Sequence, residues 1–310
     1  MDCSIGKDLP RESEIIFRSG DFAYRFIWNW AKWPEEMKDC QVSGVFCDKD
    51  NQLFAFNRTE KTPIAVFGPD GTVERTFGNG LFVHPHGIFI NAEGNLWCAD
   101  DRGHVIKKLT PEGKVICTLG TGIPSDSGYE EGVPWPRDLD TIKRAAPPFN
   151  RPTRLVESPW GDLYASDGYA NASVHRFSAD GALLQTWGGC GTEHGRFRLP
   201  HGIWADIRER IWVTDRENNR TQLFTKEGGF IRSFDHMLYP SEIWSDNEKF
   251  IYVSEAYGGM TVFDMDLNVV AQIGHYMSQI YSHSICGDSR GNIYFGMIDG
   301  KWNLAKMERL

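Results

Sequence analysis

Six stretches of the chain repeat one alternation of apolar and polar positions. Each starts at a polar anchor, runs through a short apolar segment and crosses a turn. It then enters a second apolar segment that ends on a polar or loop residue. In chain order they read SGVFCDKDNQLFAFNR, HGIFINAEGNLWCADD, TRLVESPWGDLYASDG, HGIWADIRERIWVTDR, SEIWSDNEKFIYVSEA and HSICGDSRGNIYFGMI. The anchors are Ser43, His86, Thr153, His201, Ser241 and His283, at intervals of 43, 67, 48, 40 and 42 residues. That spacing is the period of propeller blades and is longer than leucine-rich or ankyrin repeats.

Within each unit, two β-forming runs flank a turn rich in Asp, Asn or Gly, the signature of a hairpin. Third runs follow, as in HVIKKLTPEG, SVHRFSADG and RTQLFTKEG, and then short fourth runs such as KVICTLG, ALLQTWG and GFIRSF. A four-stranded blade has two apolar faces that only neighbouring blades can cover, and radial closure protects its edges. The pattern therefore predicts an all-β, six-bladed β-propeller with four-stranded antiparallel blades, a single domain over residues 1–310. Little chain follows WNLAKMERL, so the N-terminal stretch DFAYRFIWNW is expected to complete the last blade. The long second interval marks an insertion at 121–150. Its Pro and Gly content predicts a loop with one turn of helix near Leu139 to Arg144, and loops of this length are often binding elements.

Composition narrows the function. A formal net charge of -9 argues against a general nucleic-acid surface. No run is long and apolar enough to span a membrane, and the first residues lack the form of a leader. Seven cysteines without a CxxC pair make a poor disulfide framework, so a cytoplasmic location is expected. Cys47, Cys98 and Cys117 lie in apolar runs and are expected to be buried thiols.

Corresponding positions of the blades meet around the propeller axis. The anchors at the second, fourth and sixth units are His86, His201 and His283. Two readings stand: three imidazoles sharing one divalent ion such as zinc, or polar axial residues hydrogen-bonded to loop backbone. Fourteen residues beyond each anchor lie Asn57, Asp100, Asp167, Asp215, Glu255 and Met297. Their acids either orient the imidazoles or accept backbone N–H groups of adjoining loops. Arg58 and Arg216, on opposite blades, suit a carboxylate substrate; the competing partner for Arg216 is Asp215. Tyr169 is placed to act as a base at the rim, and His84 and Tyr281 to line the approach.

These residues resemble the NHL-type propellers and, within them, the peptidyl-α-hydroxyglycine α-amidating lyases, over about Val42 to Phe295. The metal histidines of that family are similar to His86 in HPHGIFINAEGNLWCAD, His201 in LPHGIWADIRERIWVTDRENNR and His283 in YSHSICGDSRGNIYFG. Its two arginines look like Arg58 in LFAFNR and Arg216 in DREN, and its tyrosine like Tyr169 in DGY. The resemblance implies a six-bladed propeller with a catalytic zinc, often a structural calcium, and cleavage of a carbinolamide to an amide and glyoxylate. The sequence departs from the family at Ser284, Tyr281, Asn57 and Ala170.

The expected function is a metal-dependent lyase. It would cleave a C–N bond in a small carbinolamide that bears a carboxylate. Catalytic roles fall to Tyr169, Arg58 and Arg216, and metal binding to His86, His201 and His283. Two alternatives stand beside it. A metal-dependent hydrolase would attack an ester, lactone or amide, and an NHL scaffold would bind a partner without chemistry.

Overall fold

The computed structural model describes residues 15–246, 249–257, 259–275, 281–298 and 303–310. Cys3 lies outside them. Two N-terminal strands, β1 (Ile15–Ser19) and β2 (Phe22–Ile27), precede the first blade. The first blade is β3 (Val42–Cys47), β4 (Leu53–Asn57), β5 (Ile64–Phe67) and β6 (Val73–Phe77). The second is β7 (Pro85–Ile90), β8 (Leu96–Asp100), β9 (Val105–Leu109) and β10 (Val115–Leu119), and the third β11 (Pro152–Glu157), β12 (Leu163–Asp167), β13 (Ser173–Phe177) and β14 (Leu183–Gly188). The fourth is β15 (Pro200–Ala205), β16 (Arg210–Asp215), β17 (Arg220–Thr225) and β18 (Phe230–Phe234). The fifth is β19 (Pro240–Ser245), β20 (Phe250–Glu255), β21 (Met260–Asp264) and β22 (Val269–Ile273). The sixth takes β23 (Ser282–Gly287), β24 (Ile293–Met297) and β25 (Leu304–Arg309) from the C-terminus and adds β2 and β1 outside them.

The protein is thus a six-bladed all-β propeller of antiparallel blades whose last blade is completed from the N-terminus. Strand β2 pairs with β25 through Tyr24 opposite Arg309 and Phe26 opposite Met307. Strand β1 extends that blade to five strands, one more than the repeat alone implies. The innermost strands β3, β7, β11, β15, β19 and β23 each pack on the next, and β23 returns to β3. Burial follows this order: β3, β7, β15 and β23 are buried throughout, whereas the outer strands β10 and β18 are largely exposed and β14 is half-buried to exposed. Cys47 and Cys98 are accordingly buried. Cys117 is exposed: it lies on the outermost strand β10, most of whose side chains no neighbouring blade covers.

The segment after β2 crosses from the sixth blade to the first. Its Trp30 is buried against Tyr294 of the sixth blade and Phe67 of the first, and Trp33 meets the same Phe67 edge-on. These aromatics seal the seam where the ring closes. The insertion has one short 3-10 turn, Arg137–Thr141, slightly before the stretch expected to be helical. It is pinned by buried Leu139, Ile142 and Phe149 and by Ser127 donating to the Ala170 carbonyl. No helix among the described residues is long and apolar enough to cross a membrane.

Candidate metal centre

The first strand of every blade slips register at its anchor. The breaks fall between Val42 and Gly44, Pro85 and Ile88, Pro152 and Arg154, Pro200 and Ile203, Pro240 and Ile243, and Ser282 and Ser284. A bulge bends its strand and re-aims the side chain it carries. The six anchors lie at these breaks, and three of them are the histidines.

His86, His201 and His283 are buried, and one ring nitrogen from each lies within 4.8 Å of the other two. Each Nδ1 meets a backbone carbonyl of the next blade: His86 with Thr153 O at 2.7 Å, His201 with Ser241 O at 2.8 Å, His283 with Ser43 O at 2.7 Å. A carbonyl only accepts, so each Nδ1 carries the proton and each neutral ring turns a bare Nε2 lone pair towards the axis. The three non-histidine anchors Ser43, Thr153 and Ser241 therefore orient the three histidine anchors. At His86 and His201 the glycine that follows the histidine makes room for the carbonyl; Ser284 follows His283. A Cβ on Gly87 would lie 2.4 Å from Thr153 O, and one on Gly202 would lie 2.7 Å from Ser241 O.

Burial pushes all three imidazoles well below the usual histidine pKa. For His86 the other two rings add to the effect, for His201 Arg216 does, and for His283 Arg58 and Arg216 do. The triad is therefore neutral near pH 7, the form in which imidazole binds metals. His283 Nε2 is buried with no hydrogen-bond partner. Three neutral nitrogens within 4.8 Å of one another, one of them orphaned, fit a divalent metal ion. Among the described residues this is the one cluster of three His, Cys, Asp or Glu side chains able to hold a metal.

Tyr169 closes the triad from above. Its Oη lies 3.2 Å from His86 Nε2 and 3.3 Å from His201 Nε2, and Arg216 Nη1 donates to it at 3.4 Å. Burial opposes the charge on Arg216, but Tyr169, Glu217 and Tyr281 around it raise its pKa. The carboxylate beside Arg216 is Glu217, at 3.2 Å, rather than the expected Asp215, which pairs with Arg220. Arg58 donates to Gln41 Oε1 at 3.0 Å and to the Pro85 carbonyl. It has no carboxylate partner within salt-bridge distance among the described residues. Burial lowers its pKa, and Arg102 and Arg151 add to that.

The second ring does not touch the imidazoles. Asp100 accepts the amides of Val83, His84 and Gly103, Asp167 that of Asn150, Asp215 those of Arg198 and Leu199, and Glu255 that of Leu238. These acids hold loops, and carbonyls do the orienting in their place. His84 is paired with Asp101 at 2.6 Å and Tyr281 packs edge-on against Tyr257. Two residues without a signal in the repeat also reach the centre. Trp135 comes from the insertion, its ring centroid 6.2 Å from that of Tyr169 and under the Arg216 guanidinium at 5.9 Å. Arg151 lies over the Tyr169 ring at 5.1 Å.

No family model matches the chain. It is 29% identical over 270 residues to the peptidyl-glycine alpha-amidating monooxygenase of Mus musculus, a match covering 76% of this chain and 25% of that one. It is also 29% identical to human NHL repeat-containing protein 3 over 69% of this chain and 60% of the other. Against peptidyl-alpha-hydroxyglycine alpha-amidating lyase 1 of Drosophila melanogaster it is 27% identical, over 66% of this chain and 36% of the relative. The chain is related to the NHL-repeat and amidating-lyase-like propellers at low sequence identity. It spans only about a quarter of the mouse protein's length. Among solved structures, a streptogramin B lyase superposes with a TM-score of 0.62 at 16% identity, covering 88% of this chain and 95% of the other. A gluconolactonase of Xanthomonas campestris superposes with a TM-score of 0.66 at 14% identity over 98% of both chains. These two likenesses concern the fold alone.

Proposed function

We propose that this propeller is a metal-dependent lyase that cleaves the C–N bond of a small carbinolamide bearing a carboxylate. The observation that carries the reading is the convergence of three buried imidazoles, with the Tyr169 phenol on two of their Nε2 atoms and Arg216 on the phenol. His86, His201 and His283 would hold one divalent ion, zinc by the chemistry of the nitrogen set. When bound, that ion supplies the Lewis acidity that polarises the substrate hydroxyl.

The chain's own residues do the rest. Arg58, which lacks a carboxylate partner within salt-bridge distance among the described residues, takes the substrate carboxylate, and Arg216 shares it from the other side. Tyr169 Oη, held by Arg216, relays the hydroxyl proton: its oxygen takes that proton as its own phenolic proton passes to the leaving nitrogen. The C–O bond becomes a carbonyl as the C–N bond breaks, and the nitrogen takes the bonding electron pair and the relayed proton to leave as the amide. Trp135 and the ring of Tyr169 narrow the mouth above this point. A structural calcium, implied by the resemblance, belongs to the same proposal, and the six free thiols among the described residues support a reducing compartment such as the cytoplasm.

Metal analysis joined to turnover tests the reading. The protein is expected to carry one zinc per chain, and His201→Ala to lose both metal and activity; unchanged metal content in that variant would overturn the ligand set. A hydrolase acting on an ester, lactone or amide is the second reading, because the same three imidazoles and anion clamp also suit attack by water on an acyl carbon. Turnover in heavy-oxygen water separates the two, because hydrolysis places solvent oxygen in the acyl product.

A further inference from the structure

Beside the channel mouth, a cavity of about 650 Å³ lies between the insertion and the loops of the second and third blades. One wall carries Arg102 and His104, which follow β8, and Arg151, which precedes β11. The other carries Asp126, Tyr129 and Glu131 of the insertion.

The donors on the first wall are underused. Arg102 is exposed and has no ion pair among the described residues. Arg151 reaches Asp101 at 3.5 Å through Nη2, but its Nε is buried without a partner. The amide of Arg151 donates to His104 Nδ1 at 3.3 Å, so in the neutral ring the proton sits on Nε2, which remains a donor. Burial lowers the His104 pKa, and Arg151 adds to that against the pull of Asp167 and Asp101. On the opposite wall Asp126 is matched by Arg144, and Tyr129 donates to Asp138 at 3.0 Å. Glu131 is exposed and forms no ion pair among the described residues. Two guanidiniums and an imidazole lining a polar hollow of this size suit an oxyanion held by charge-assisted bonds.

The cavity shares a wall with the metal centre. The Arg151 guanidinium that lines it also lies over the ring of Tyr169, whose Oη touches two of the histidines. We propose that the cavity is a second oxyanion subsite, which takes a carboxylate or phosphate at the remote end of the substrate. The choice of occupant rests on the reading of the channel mouth as the catalytic centre; the anion site itself does not. A substrate filling both places carries two acid groups, one between Arg58 and Arg216 and one against Arg102 and Arg151.

Calorimetric titration of the zinc-loaded protein with acetate, and separately with inorganic phosphate, tests the site. Two anion sites are expected, with Arg102→Gln weakening one by about 10-fold or more and Arg58→Gln weakening the other. Tighter acetate binding identifies a carboxylate occupant, tighter phosphate binding a phosphoryl one. If Arg102→Gln binds both anions as the unaltered protein does, the subsite is overturned, whatever happens at Arg58. If only Arg102→Gln weakens binding, the subsite stands and the carboxylate clamp of the proposed function falls. Arg102 is exposed, and retained stoichiometric zinc in the variant confirms an intact fold.

Discussion

His86, His201 and His283 are each aimed by a carbonyl from another blade, and this has consequences for two measurements. The first is the proton inventory of the metal-free protein. Folding holds all three pKa values well below the ordinary histidine value of about 6.5. Below that pH the unfolded chain binds protons that the folded one refuses. The stability contributed by the neutral rings is therefore complete above about pH 6.5 and is lost as pH falls, by up to about 1.4 kcal/mol per pH unit for each imidazole. Urea unfolding of the metal-free protein between pH 5 and 7.5 should show this, with a shallower slope in His201→Asn. The second is the role of the phenol. Tyr169→Phe keeps the ring packed on His86 and Trp135 but removes Oη. Turnover should fall about 10²- to 10⁴-fold with zinc content unchanged; activity within a few fold of the parent would assign the proton to another group. At this scale the repeat was informative where side chains recur in phase, as the histidines do. It was silent about Arg151 and Trp135, which lie outside the repeated segments.

The bulge in each innermost strand is the element that turns a repeat into a site. A regular strand alternates its side chains between two blade faces, whereas the slip at Pro85–Ile88 and its equivalents turns the anchor to the axis. At His86 and His201 a glycine follows the histidine and leaves room for the neighbouring carbonyl, whereas at His283, where Ser284 follows, the local backbone leaves that room beside a side chain. Gly87→Ala would set a methyl group 2.4 Å from Thr153 O and push away the acceptor of His86 Nδ1. Loss of an orienting partner of this kind typically costs about 10- to 100-fold in metal affinity. Competition against a chelator should register that loss, while parent-like affinity would mean that the ring holds its direction without the carbonyl. The motif was readable as Pro-His-Gly, but the reason for its glycine was not, because the crowding atom belongs to a residue 66 positions along the chain.

The ring is also held by a buried ion pair. Arg154 of the third blade meets Glu242 of the fifth, Nη1 to Oε2 at 2.6 Å, and the Glu242 carboxylate packs where Gly202 of the fourth has no side chain. Both side chains are almost wholly buried, and burial pushes the Glu242 carboxyl up to about 7 against the pull of Arg154. Removing one partner strands the other. Arg154→Met is expected to cost about 3–5 kcal/mol, and the double variant Arg154→Met with Glu242→Leu to recover most of it. Urea midpoints decide this; a double variant as unstable as the single one would mean that the pair does more than neutralise itself.

Six recurrences of one hairpin pattern, together with an unfinished last unit, were enough to specify a closed propeller completed from the N-terminus. Blade formation is local, and an unpaired edge has to be covered. The same phase put the three histidines at equivalent positions, so their convergence could be read before any coordinate. Distance and direction could not be. The carbonyls behind the rings, the fold of the insertion over Tyr169 and the Arg154–Glu242 pair join residues tens of positions apart. Contacts of that kind leave no period in the chain, because they arise only when the blades pack.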